Sequence, residues 1–200
     1  MTMLLAASGL RVRWTRPGWR TRIVTSTCIV VSAIALSSCD SYDRAYNTAE
    51  RAALQGLGRV HAEAVTCVTS GLVSNPEFED SSPPEWVTDC LNPRVLGISD
   101  KDLPNEITGL PRGSWLRTFE VEGGVATLTV TDVSEVSVSD GLNQVSKSAV
   151  QCWTAQINQH GAFSPPERLK CSDATVAVVE SHYPDEPRSL ITKGPDTANG

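Results

Sequence analysis

Residues 115–130 read WLRTFEVEGGVATLTV, and the fold is decided there. Trp115, Phe119 and Val121 alternate with polar positions, Gly123-Gly124 supplies the positive φ of a two-residue turn, and Ala126, Leu128 and Val130 repeat the alternation on the way back. A period of two on either side of such a turn predicts an antiparallel hairpin with one apolar face. Working outward, Val133, Val136 and Val138 fall out of step near Glu135, which predicts a bulge or bend before Asp140-Gly141. Two more strands are expected at Ala149–Ile157 and Ala174–Ser181, separated by a stretch holding Gly161, Pro165 and Pro166.

Upstream of the hairpin the period changes. Ala45, Ala49, Leu54, Leu57, Val60, Ala64, Val65, Val68 and Leu72 step by threes and fours, which predicts an amphipathic helix behind the capping oxygens of Asp40 and Ser41, ended by Asn75-Pro76. Gly56 and Gly58 each cost a helix about 1 kcal/mol relative to Ala, so a bend or break is expected near them. Residues 74–114 hold six prolines and no sustained period, apart from a short helix expected at Pro84–Leu91. They read as a long Pro-rich crossing loop. The expected fold is therefore α+β: an N-terminal amphipathic helix (39–73) packed on a four- or five-stranded antiparallel sheet (115–183) in one domain with the crossing, followed by a loose tail at 184–200. Envelope proteins of cystatin-like or NTF2-like build resemble this order of elements, an analogy of fold alone.

Charge divides the chain sharply. Five arginines and no acid precede residue 39, while twelve basic and twenty-three acidic residues follow, a net charge of −11 for residues 39–200. So acidic a body repels phosphate backbones, and nucleic acid is excluded as an expected partner. Arg20-Thr21-Arg22 leads into sixteen uncharged residues, IVTSTCIVVSAIALSS (23–38). The run is shorter than the about 20 apolar residues of a membrane span and is diluted with Ser and Thr. It reads as an export signal over residues 1–38.

That signal ends in Leu36-Ser37-Ser38-Cys39, which resembles the lipobox of bacterial lipoproteins: an aliphatic residue, two small residues, then Cys. The resemblance covers residues 1–40 only. It implies that the Cys39 thiol takes a diacylglycerol, that a peptidase cuts before it, and that the protein sits on the outer, extracytoplasmic face of the cell membrane. Two or three acyl chains hold firmly where one holds reversibly, so no further membrane element is needed. An uncleaved anchor and free secretion are the other readings of the same residues.

Setting Cys28 and Cys39 aside leaves Cys67, Cys90, Cys152 and Cys171, an even number in an exported chain, and two disulfides are expected. Loop entropy hardly separates the three pairings. Locality favours Cys67 with Cys90 and Cys152 with Cys171. No metal-ligand spacing and no cofactor motif occurs, and no catalytic residue is assigned: Gly-x-Ser-x-Gly and Ser-x-x-Lys are missing, and a trio such as Ser172, Asp173 and His182 has no spacing logic. Glu120 and Glu122 read as a solvated hairpin face, His160 as a turn residue, and Trp115 and Trp153 as packing residues. Trp86, in a polar Pro-rich stretch, is either a plug under the crossing or a candidate partner contact. The expected function is a non-catalytic role, binding an envelope protein or a small ligand. An extracytoplasmic hydrolase and a pilin-like assembly subunit are the alternatives.

Overall fold

Alternating side chains give three strands of a curved sheet: β1 (Gly113–Glu122), β2 (Val125–Asp140) and β3 (Asn143–Asn158). The computed structural model describes the backbone of residues 20–74, 82–140, 143–181 and 191–193, and the side chains among them from residue 42 on, Asn143 apart. The chain divides into two units, residues 1–40 and 41–200; the second holds the sheet and is described below. Gly123 and Gly124, at φ +60° and +79°, close the β1–β2 hairpin as its sequence predicts. β2 pairs with β3 without a break from Val125↔Asn158 to Asp140↔Asn143.

The expected bulge near Glu135 is therefore not there. The irregularity lies in β1 instead, where the register shifts between Leu116 and Thr118. Arg117 is the extra residue, so Leu116, Phe119 and Val121 share one face while Trp115 lies on the other. A strict period-two reading put Trp115, Phe119 and Val121 together, and the bulge is what separates them.

Two further strands complete the sheet. β4 (Glu167–Leu169) pairs antiparallel with β3 at Cys152–Thr154, and β5 (Ile191–Lys193) pairs parallel with it at Ala149–Gln151. The sheet is thus mixed, not wholly antiparallel, and one strand comes from the stretch expected to be a loose tail. The rest of that tail lies outside the described residues. Both edges are covered in part. β4 and β5 lie end to end along β3, and on the other side the Asn92 N–H donates to the Ser114 carbonyl while the Leu116 N–H donates to that of Asn92.

The helix α1 (Arg20–Ser74) carries the expected stripe, and from Ala45 onward it lies along one face of the sheet. Ala45 and Ala49 meet Val145, Ala53 and Leu57 meet Ala149, and Ala64, Val68 and Leu72 join Leu128, Val130, Trp153 and Ile157. Each buried Leu or Val in such a layer contributes roughly 1.5–3 kcal/mol. The crossing is not one long loop: it folds into α2 (Glu85–Cys90), a 3-10 turn at Pro93–Val95 and α3 (Leu103–Glu106). α2 stays on the α1 side, where Val87 and Leu91 join Val68 and Leu72. The 3-10 turn and α3 cover the opposite face, where Val95, Leu103, Ile107 and Leu110 pack with Trp115, Val133 and Val150.

Residues 174–181, read as a strand, are helical in α4 (Asp173–Ser181). A short apolar run does not separate buried strand from buried helix by period. What decides is Ser172, whose hydroxyl accepts from the Thr175 N–H at 3.2 Å, and the burial of Thr175, Val178 and Val179 at helical spacing.

The helix does not break at Gly56 and Gly58, because α1 continues through both. At Gly56 the helix passes close to β2, where a Cβ would collide with the Ser134 hydroxyl oxygen. Near its end, a Cβ on Gly71 would come within 2.8 Å of the Trp86 ring, whereas nothing lies within 4 Å at Gly58. Gly58→Ala should therefore stabilise the domain by up to about 1 kcal/mol. Gly71→Ala should destabilise it, because overpacking costs about 1–3 kcal/mol against the same helical gain. Urea midpoints of the two variants check the pair, and a Gly71→Ala protein more stable than wild type would contradict the Trp86 packing.

Candidate functional site

Among the described residues, two places collect polar side chains. The first is buried between α1 and the sheet. In β2 the inward phase runs Leu128, Val130, Asp132, and Asp132 is 0% exposed among apolar neighbours. Its Oδ2 accepts from Trp153 Nε1 at 2.8 Å and Gln151 Nε2 at 3.0 Å, both on β3, and lies 3.0 Å from Nδ1 of His61 on α1. Its Oδ1 accepts from the Ser114 hydroxyl at 2.7 Å, at the start of β1. Four partners thus converge on one carboxylate, which is what burying it requires. The His61 ring meets Trp153 edge-on, centroids 5.2 Å apart, and its side chain remains 27% exposed.

An Asp–His pair is also half of a hydrolytic triad. Here Ser114 donates to Asp132 instead of His61, and among the described residues no hydroxyl or thiol bonds to His61 Nε2. The cluster ties helix to sheet. Further along the same face Lys147 is almost wholly buried, with its Nζ 3.4 Å above the Tyr46 ring, a close cation–π pair.

The second place is a cleft of about 230 Å³ on the opposite face. Thr118, Thr129 and Thr131 of β1 and β2 line it, with Cys152, Leu169 and Lys170 and the first turn of α4 at Ser172 and Thr175. The bulge brings in Arg117, which is 9% exposed. Its Nη2 donates to Asp100 Oδ1 at 2.8 Å and to the Ile98 carbonyl at 3.3 Å, while Nη1 is buried with no acceptor. Burial pushes the Arg117 guanidinium below its ordinary value, against the opposing pull of Asp100.

The chain matches no known family. Neither a curated protein nor a solved structure matches it either. Function must therefore be argued from its own residues.

The disulfides are Cys67–Cys90, joining α1 to α2, and Cys152–Cys171, joining β3 to the segment before α4. A shallow second cleft of about 380 Å³ lies over the first of them, beside Glu63, Asp89 and Arg112. Trp86 is half-buried and packs against the α1-side core, with its Nε1 buried and unpartnered. Trp115 and Trp153 are buried, and the Trp115 Nε1 donates to the Pro111 carbonyl at 3.0 Å. Glu120 and Glu122 are exposed on the hairpin, and His160 is exposed in the turn after β3. The side chains of Leu36, Ser37, Ser38 and Cys39 lie outside the described residues, as does His182.

Neither polar cluster was found from the sequence. The signal for Asp132 was a carboxylate in phase with Leu128 and Val130; for His61 it was a polar residue four positions after Leu57, beside the apolar stripe. Arg117 carried no such mark, because only the bulge turns it inward.

Proposed function

We propose that the protein is a lipid-anchored envelope protein, held at Cys39 on the extracytoplasmic face of the cell membrane, whose oxidised α+β domain binds a small ligand or another envelope protein. The observation that carries this reading is the pair of disulfides, each closing a local loop, which form and persist in an oxidising compartment. It agrees with the lipobox-like Leu36-Ser37-Ser38-Cys39 and with the acidic charge of the residues that follow. No helix among the described residues is long and apolar enough to cross a membrane.

The intact mass of the protein from membranes tests the anchor. Wild type should begin at Cys39 and carry the added mass of a diacylglycerol with or without one more acyl chain, and Cys39→Ser should keep its first residues and carry no lipid. An unlipidated N terminus in both overturns the reading.

A hydrolase remains the second reading, favoured by the Asp132–His61 pair with one side of the imidazole open to solvent. Ester or peptide hydrolysis lost in His61→Ala, with the fold retained, would establish it. Equal turnover by both proteins would remove it.

A further inference from the structure

We propose that the cleft at the β1 bulge is a binding site for a small oxyanion, a phosphate or carboxylate group, held by Arg117, Lys170 and the first turn of α4. The inference rests on reading the domain as a binding module and is independent of the lipid anchor. The argument begins with Arg117. A guanidinium carries five N–H donors in a planar fork suited to two oxygens at once. This one is nine-tenths buried, yet among the described residues its only acceptors are one Asp100 oxygen and the Ile98 carbonyl, both on Nη2. Nη1 has none, and leaving a buried donor unmade is costly. Asp100 compensates incompletely, since its own side chain is 55% exposed and a pair open to water on one side is weak.

The surroundings add the same sign. Lys170 stands at the rim as a second cation, and Ser172 and Thr175 bring the N-terminal turn of the nine-residue α4, whose dipole favours negative charge. Against the two cations the cleft holds one carboxylate, Asp100. Its lining thus carries one excess positive charge, with Asp173 of the α4 first turn outside that lining, in a domain of strongly acidic composition. Its threonine hydroxyls can donate to further ligand oxygens. The volume, about 230 Å³, falls below the roughly 300–1,000 Å³ of drug-sized sites. A single anionic group with a short substituent fits it.

Titration calorimetry on the full-length protein in detergent, at low ionic strength, tests the proposal with inorganic phosphate and succinate as probes and glucose as a neutral control. Saturable heat with an anion and none with glucose is expected. Arg117→Gln should weaken binding about tenfold or more, the loss of a charge-assisted pair. Because Arg117 is buried, that variant can fail to fold; Lys170→Glu, at an exposed position, should then show a loss of several-fold, while Arg59→Glu, exposed on α1, should not. Phosphate alone identifies a phosphoryl ligand, succinate alone a carboxylate. Absence of saturable binding with either anion, or binding unchanged in Lys170→Glu, overturns the site. The mass of the lipidated N terminus is read separately, so failure of the anchor and failure of the cleft are distinguishable.

Discussion

Asp132→Ala is expected to lower the stability of the domain by about 3–5 kcal/mol, the cost of removing one partner from a buried polar set. Four groups lose their acceptor at once: the Ser114 hydroxyl, the Gln151 amide, the Trp153 indole and the His61 ring. Water does not reach the position to replace it, since Asp132 is fully buried. Asp132→Asn keeps one oxygen but turns an N–H₂ toward other donors, so an intermediate loss of about 2–3 kcal/mol is expected. His61→Ala should cost about 1 kcal/mol, because that side chain is partly solvated. Urea unfolding of the three variants at constant pH measures the order. If Asp132→Ala unfolds at the wild-type midpoint, the carboxylate is not the tie between helix and sheet.

Reducing both disulfides should have an effect of similar size. The bridged cysteines are 23 and 19 residues apart, and loop-closure entropy gives each about 3 kcal/mol. Together they supply about 6 kcal/mol in a domain whose whole stability is expected within about 5–15 kcal/mol. The melting curve under reductant should therefore shift down by many degrees or disappear, and a Cys67→Ala/Cys90→Ala protein should lie between the two states. This ties stability to place, since a chain synthesised and kept in a reducing compartment would lack those contributions. An unchanged transition under full reduction, with free thiols verified by mass, would count against the oxidised extracytoplasmic reading.

Much of the architecture could be read from local pattern. The hairpin declared itself through Gly123-Gly124 between alternating residues, and the helix through a stripe ending at Leu72. The local disulfide pairing also followed from spacing, although loop entropy barely distinguished it. What escaped the pattern depends on distant residues. Asp132 is tolerable inside because His61 reaches it from 71 residues away, and a rule that turns polar residues outward misplaces it. Arg117 faces inward only through an inserted residue in β1, and α4 turns on one serine cap at the head of a β-branched run. β5 was hidden because three residues of parallel pairing carry no periodicity.

The small-residue seam of α1 has a consequence for sliding. Ala45, Ala49 and Ala53 recur every four residues against the sheet, so an advance of four residues, about 6 Å, would set alanine on alanine with little change in fit there. Over those three positions apolar packing alone would tolerate such slippage. Two asymmetric features oppose it: the notch at Gly56 that admits Ser134, and the buried Asp132 carboxylate, which the helix meets through His61. The axial position of the helix is thus indexed by polarity, while its adhesion comes from hydrocarbon.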